Sequence, residues 1–457
     1  MTYKTILTTV IACVMGCCVM AQSPNSTTYL ELKELPNVAI FLPAPPDTAS
    51  TTFAGDFLQW QWGKVQRRNN VRGPQASQDS QYGIARTSVI FGEVLGLNIS
   101  ARTTPAIYQL MQKVGETGAL ITDVKNQQYS RKRPFVQMNE HPTGEYDNEA
   151  ELRNNTSYIS SHTANGWATA LVLAEVAPLL QDSLLKAGYE YGMSRVIVSA
   201  HWQNSVDNAL LAGSAAVARM HKDRKFVTDL EAAKSEYNTL TTPVDTVVGL
   251  PQGSKFLPAL ADTTDNLYYS DVLNYWQMKP ERNTNNGAQA ILDADTTLQA
   301  YINAFAQVMK LDLNLVNIPS ITQMVQQAKA KLELAADQTT QALIFRKRPY
   351  VKMGETTAVP DDEEAFAETS SYPSKPAQVG WGLALLLAEI APDFQDEILA
   401  CGIRYGESSL INGYQFTSDV QAGRILASAV IARLHADSDF AAVLAAAQAE
   451  YNSISHH

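Results

Sequence analysis

The sequence predicts an all-α protein built from two tandem helical-bundle domains. Apolar residues recur at spacings of three and four over 167–185, 209–220 and 440–451, among many Ala, Leu and Glu residues. That period is typical of helices with one buried face. The alternation of apolar and polar residues that indicates a half-buried strand is scarce. The third observation is an internal repeat, which predicts two similar domains rather than one large one.

The repeat consists of separate blocks that occur twice, at offsets of 215 or 214 positions. The paired blocks are 41–44 with 256–259, 131–136 with 346–351, 173–175 with 387–389, and 218–221 with 432–435. A unit of this length is a domain and not the short repeat of a solenoid. We therefore predict one domain over 22–245 and a second over 246–457. Their boundary is expected in the Thr-, Pro- and Gly-containing stretch 241–254.

The first 21 residues have the features of an export signal. Lys4 precedes an apolar stretch over 6–20, and Ala21 is a small residue at the expected cleavage point. Because a membrane span needs about 20 apolar residues, this stretch is short for one, and no later run reaches that length without a charge. We expect an exported, periplasmic protein without a transmembrane segment in the mature chain. Two forms of processing stay open, cleavage after Ala21 or acylation of Cys17 in a sequence that loosely resembles a bacterial lipobox.

Composition restricts the class of protein further. Hydrophobic residues make up 45% of the chain and charged residues 18%, which suits a globular protein with a large core. The formal net charge of −11 argues against nucleic acid and against anionic membrane surfaces as partners. Once the leader is removed only Cys401 remains, so no internal disulfide is expected. No cluster with metal-ligand spacing is evident, and we predict no metal and no cofactor.

Three clusters in the first repeat carry residues suited to phosphate chemistry, over 125–134, 157–163 and 194–202. Each alone has an ordinary explanation, since a basic run is usually a solvated face and a buried His is often part of the core. Together they resemble the bacterial class A non-specific acid phosphatases, in the superfamily of type-2 phosphatidic acid phosphatases and vanadium haloperoxidases. That superfamily has three motifs: Lys, six residues and Arg-Pro; Pro-Ser-Gly-His; and Ser-Arg, five residues, His, three residues and Asp. The resemblance covers most of each repeat, from about residue 100 and from about residue 315.

The resemblance implies hydrolysis of a small phosphomonoester through a phosphohistidine. His201 matches the nucleophile and His162 the general acid that protonates the leaving alcohol. The groups implied to hold the phosphoryl oxygens are Arg133, Ser160, the Ser161 backbone N–H, Arg195 and Lys125. Arg suits this role because its planar fork donates paired hydrogen bonds to phosphate. The family's chemistry requires no metal, and self-association of the chain is left open.

The first repeat departs from the family pattern at several chemical positions. Ser205 stands where the motif has the Asp that orients the nucleophile. Asn126 occupies the motif position of the lysine, and Lys125 is one residue early, a rotation of about 100° on a helix. Ser161 replaces the motif glycine and Ile159 the motif proline. By analogy with serine proteases, loss of a charged orienting group costs on the order of 10⁴ in rate, so we expect reduced activity.

The second repeat has lost the groups that react. The aligned positions are Arg348 and Ser374, which survive, Lys375 in place of the general acid, Ser409 in place of the second Arg, Gln415 in place of the nucleophile, and Asp419, which keeps the motif Asp. We predict that this repeat forms no phosphohistidine. Two main functions remain for the whole chain, beside the other activities of the superfamily, lipid phosphatase and vanadate-dependent haloperoxidase. One is an acid phosphatase that acts through the first repeat, and the other is a non-catalytic protein that binds a phosphorylated ligand or serves as a scaffold.

Overall fold

The computed structural model describes residues 27–242, 248–258 and 266–455. The chain is 71% helical and the described ranges contain no strand, which confirms the all-α class. No helix within these ranges is both long enough and apolar enough to cross a membrane. The predicted export signal over 1–21 and the predicted boundary at residue 245 lie outside the described residues, so both stay predictions.

The helices follow one another in a similar order in the two halves. In the first half they are α1 (Val38–Phe41), α2 (Thr51–Gln66), α3 (Arg72–Gln78), α4 (Ile84–Leu95), α5 (Pro105–Leu120), α6 (Asp123–Gln128), α7 (Pro134–Gln137), α8 (Glu149–Asn154), α9 (Ser161–Val176), α10 (Gln181–Ile197), α11 (Gln203–Met220) and α12 (Arg224–Leu240). In the second they are α13 (Asn266–Met278), α14 (Asn285–Leu292), α15 (Leu298–Val308), α16 (Pro319–Ala342), α17 (Pro349–Met353), α18 (Glu363–Phe366), α19 (Lys375–Ile390), α20 (Gln395–Asn412), α21 (Thr417–His435) and α22 (Ser438–Ile454). Short 3₁₀ turns connect some of them.

Each half is organised around one buried central helix, α9 in the first and α19 in the second. Ser160 and Ser374 begin these helices, because each serine side chain accepts a hydrogen bond from a first-turn N–H. Their interiors are almost wholly buried, and they pack against α5, α10 and α11 or against α16, α20 and α21. Trp167 on α9 donates a 2.9 Å hydrogen bond to Ser214. The aligned Trp381 donates one of 3.1 Å to Ser428.

One continuous hydrophobic core runs through both halves. Helix α2 packs against α13, α9 against α21, and α11 against α19. The N-terminal segment of the first half crosses to the second, where the Phe41 ring lies 6.3 Å from that of Trp381. The Asn37 N–H donates to Asp396 at 2.7 Å. Each half therefore contributes apolar surface that the other buries.

Candidate active site

The predicted chemical residues of the first half converge at one end of its central helix. Helix α9 begins at Ser161 with His162 in its first turn, and the neighbouring α10 carries Arg195 in its last turn. Arg133 is the N-cap of the short helix α7. A cavity of about 530 Å³ opens here, lined by Asp123, Asn126, Gln127, Tyr129, Ser130, Arg133, Asn155, Thr156, Ile159, Ser161 and His201. His162 and Arg195 do not line this cavity.

The His201 imidazole is fixed at both nitrogens. Its Nδ1 lies 2.8 Å from the carbonyl oxygen of Ser157, which accepts only if Nδ1 carries the proton. Nε2 then has a lone pair, and it lies 2.7 Å from Nη1 of Arg133. Burial, then Arg133 and Arg195, hold the pKa of His201 well below its usual range. The imidazole is therefore neutral, with its nucleophilic nitrogen beside a guanidinium that can hold a phosphoryl oxygen.

Arg133 is held by uncharged groups. Its guanidinium donates to the side chain of Asn155 and to the carbonyl oxygens of Thr156 and Ala200, at 2.7 to 3.0 Å. Burial and the nearby Arg195 lower the pKa of Arg133 to about 9, so it stays charged in neutral and acidic solution. Among the described residues Arg133 has no ion-pair partner, and Asp147 and Glu151 act on it only at longer range, so this buried cation favours an anionic ligand.

Arg195 has one carboxylate partner, and two of its N–H donors are unpaired among the described residues. Its Nη2 lies 2.7 Å from the carboxylate of Asp147, and both side chains are 4% exposed. The Nε and Nη1 groups of Arg195 and the second oxygen of Asp147 have no hydrogen-bond partner among the described residues. These two donors are suited to phosphoryl oxygens. Asp147 competes with phosphate for the same cation.

His162 is buried behind the cavity with a free ring nitrogen. Its ring stacks on that of Tyr191, with centroids 4.2 Å apart, and a Cβ at position 166 would come within 2.2 Å of the Tyr191 ring, so Gly166 permits this packing. Nε2 of His162 has no hydrogen-bond partner among the described residues. Burial, then Arg195, hold the pKa of His162 well below its usual range, opposed by a hydrogen bond to the Asp79 backbone. Both arginines act on both histidines, so the four groups share one electrostatic environment.

Three predicted residues have contacts other than those expected. Lys125 is buried with its ammonium 5.0 Å from the centre of the Tyr129 ring, and it does not line the cavity. The Ser160 hydroxyl accepts from the N–H and the hydroxyl of Thr163, as an N-cap. Ser205 accepts from Arg131 and is not bonded to His201, so the orienting group is the Ser157 carbonyl and not a side chain at position 205.

Three contributors to the site, Ser157, Asp147 and Asp79, were not predicted from the sequence. The Asp79 carboxylate accepts from the Ser194 hydroxyl at 2.7 Å and pairs with Arg86 at 2.8 Å. The internal repeat could have indicated Asp79, because a second aspartate, Asp293, stands 214 positions later. In the structure Asp293 accepts from the Ser408 hydroxyl at 2.7 Å, as Asp79 does from Ser194. Nothing in the sequence indicated Asp147, which lies between the motifs, or a backbone carbonyl.

The second half has a cavity of about 280 Å³ at the aligned place, lined in part by Arg348, Lys375, Ser409 and Gln415. Arg348 donates to the carbonyl oxygens of Tyr414 and Ser370, as Arg133 does to the aligned carbonyls. Ser374 caps α19, and Lys375 forms an ion pair with Asp337 at 2.6 Å. Asp419 forms an ion pair with Arg346, which is also paired with Asp271, so this carboxylate has a structural partner.

The lowered pKa values of the two histidines predict that acid destabilises the fold. A histidine in the unfolded chain takes up a proton near pH ~6.5, whereas His201 in the folded chain stays neutral to lower pH. The unfolded state therefore binds more protons below that pH, and the free energy of unfolding falls with decreasing pH by at most about 1.4 kcal/mol per unit for each such group. This slope can be measured by urea unfolding at several pH values between about 4.5 and 7.5, a range that brackets the ordinary pKa of His. The His201→Gln variant should show a shallower slope than the wild type, and equal slopes would contradict the prediction.

Known proteins with similar sequences match about half of this chain. No protein-family model matches the chain. It is 37% identical to the "Non-specific acid phosphatase" of Providencia stuartii over 213 residues, which are 46% of this chain and 85% of that protein. It is 33% identical to the "Non-specific acid phosphatase" of Salmonella typhimurium over 207 residues (45% and 82%), and 33% identical to the "Acid phosphatase" of Zymomonas mobilis over 223 residues (49% and 82%). Because these matches cover most of each relative, the chain belongs to the non-specific acid phosphatase family.

Proposed function

We propose that the protein hydrolyses phosphate monoesters, through a phosphohistidine at His201 in the first half. The arrangement of His201 is the observation that carries this proposal. A carbonyl fixes the proton on Nδ1, so the lone pair that can attack phosphorus is on Nε2; it accepts from Arg133 at 2.7 Å, and this bond opens as Arg133 turns to a phosphoryl oxygen. An imidazole in this tautomer is a nucleophile that needs no separate base.

The remaining groups supply the other parts of the reaction. Arg133 lines the cavity and stabilises the charge that develops on the phosphoryl oxygens, and we propose that the cavity extends to the unpaired Nε and Nη1 donors of Arg195 and to His162 when substrate binds. His162 gives its proton to the leaving alcohol, for which it must be protonated when substrate is bound, and the neutral imidazole then takes a proton from the water that hydrolyses the phosphohistidine. An entering phosphate dianion offsets the two guanidiniums that now lower the pKa of His162, so substrate binding raises it. Mildly acidic solution then favours turnover.

We also propose that turnover is slower than in an enzyme with the complete motif. The Ser157 carbonyl orients His201 but carries no net charge to balance a positively charged phosphohistidine. Asp147 is paired with Arg195 and must yield to the substrate. The second half is proposed to form no phosphohistidine, since Gln415 stands at the position of the nucleophile. An exported, periplasmic location is proposed from the leader alone.

Covalent trapping tests the mechanism. The purified chain would be mixed with a phosphomonoester labelled in its phosphoryl group, and samples would be quenched in alkali during turnover. We expect release of phosphate and label bound to the chain in a form that is stable to alkali and lost in acid, because a phosphoramidate hydrolyses in acid. Phosphate release without bound label would contradict the phosphohistidine. Saturable binding of inorganic phosphate without any turnover would favour the non-catalytic alternative, for which the Asp147–Arg195 pair is the supporting observation.

A further inference from the structure

A buried cluster of two histidines and two glutamates lies where the helices of the two halves meet. Glu175 and His221 come from the C-terminal ends of α9 and α11, and Glu389 and His435 from those of α19 and α21. His201 lies just before the other end of α11, and a helix of 18 residues is about 27 Å long. The cluster is therefore separate from the phosphate site.

The two histidines face each other across the junction. Their rings stack with centroids 3.7 Å apart. Nε2 of His221 lies 3.1 Å from Oε1 of Glu175, and Nε2 of His435 lies 2.9 Å from Oε2 of Glu389. Nδ1 of His435 lies 3.9 Å from the same Oε1 of Glu175. The glutamates are 1% and 3% exposed, and the side chains of His221 and His435 are 9% and 5% exposed, so the cluster is largely removed from solvent.

Among the described residues, only the two histidines form ion pairs with the two carboxylates of this cluster. Lys222 and Lys234 act on the cluster only at longer range. Oε2 of Glu175 and Nδ1 of His435 are buried without a hydrogen-bond partner. Buried carboxylates need a compensating cation, and an unpaired buried acceptor is costly.

We propose that Glu175, His221 and His435 bind one zinc ion. One ligand atom from each of them lies within 4.8 Å of the others, and imidazole nitrogen and carboxylate oxygen are ordinary zinc ligands. Glu389 accepts the Nε2 proton of His435 and so leaves Nδ1 with a lone pair for the metal, which is the usual role of a carboxylate behind a metal-bound histidine. The stacked rings open as zinc enters, because each nitrogen donates in the plane of its ring.

The ligands come from both halves, so zinc links them. In each half the His follows the Glu by 46 positions. Metal motifs that can be recognised in a sequence have ligands only a few positions apart, so nothing in the sequence indicated this site. An ion that binds the folded chain but not the unfolded one raises the unfolding temperature by mass action. The expected effect is on stability rather than on the phosphatase reaction.

Zinc titration of the full-length chain after treatment with a chelator tests the proposal. By calorimetry we expect one zinc ion per chain and a higher unfolding temperature with zinc. Glu175→Gln and His435→Gln should each weaken binding by at least about 100-fold. His141→Gln is the matched control, because His141 also pairs with a glutamate at 2.9 Å but is 82% exposed. It should bind zinc as the wild type does.

Two further measurements locate the ion. Because His456 and His457 also offer imidazoles, the titration would be repeated with both changed to Ala, and binding should persist. Anomalous diffraction at the zinc edge from wild-type crystals should place the ion between Glu175, His221 and His435, even if a variant fails to fold. The proposal is overturned if the wild type binds no stoichiometric zinc, if both Gln variants bind as well as the wild type, or if the ion lies elsewhere.

Discussion

Replacing His201 with Ala is expected to abolish phosphomonoester hydrolysis, reducing kcat to the uncatalysed background. The loss should be on the order of 10⁴ or more, as when other enzymes lose their nucleophile. The physical reason is that Nε2 of His201 is the nitrogen held beside Arg133, and His201 is the one histidine among the described residues that line the cavity. Initial rates with a chromogenic phosphomonoester at about pH 5–6, just below the ordinary pKa of His, give the measurement.

The second half supplies the matched control for this substitution. Gln415 occupies the aligned position, is 4% exposed and lines the other cavity. Gln415→Ala removes a buried side chain of similar size but no nucleophile, so kcat should stay within about twofold of the wild type. If the His201→Ala variant kept activity and the added change Gln415→Ala removed it, the reaction would take place in the second half. That result would refute our assignment.

Replacing His162 with Ala should have an effect that depends on the leaving group. A general acid contributes about 10²–10⁴ in rate when the leaving group needs a proton. An alkyl phosphate releases a basic alkoxide, so its kcat/KM, which reports the step that forms the phosphohistidine, should fall by that factor. A 4-nitrophenyl phosphate releases a stabilised anion, so its kcat/KM should fall by less than about 10-fold. Rates with both substrates for both proteins give the comparison.

A purely structural role of His162 predicts a different result. Loss of the Tyr191 stacking contact would disturb the cavity and slow both substrates equally. Equal losses would therefore rule out the general-acid role. His141→Ala is the control for removal of a histidine, because its side chain is 82% exposed, and it should leave both rates unchanged. Thermal unfolding of each variant shows whether it is folded at the assay temperature.

The candidate site shows how far sequence reasoning reached. The order Arg133, His162, Arg195, His201 was predicted from the resemblance to the three motifs of the family. The structure brings these four into one electrostatic environment. The contacts of Lys125 and Ser205 could not be read in this way, since a position in a motif does not give the direction of a side chain. Lys125 lies over Tyr129, and Ser205 contacts Arg131.

The sequence by itself determined the all-α class, the family, and the loss of the nucleophile at Gln415, because helical periodicity and the identity of a reactive side chain are local properties. Only the tertiary structure decided which group orients His201, which carboxylate is paired with Arg195, and that His221 meets His435. These depend on a backbone carbonyl, on a segment between motifs, and on helix ends that are distant in the chain. Packing of the two halves brings such groups together, and no local pattern records it.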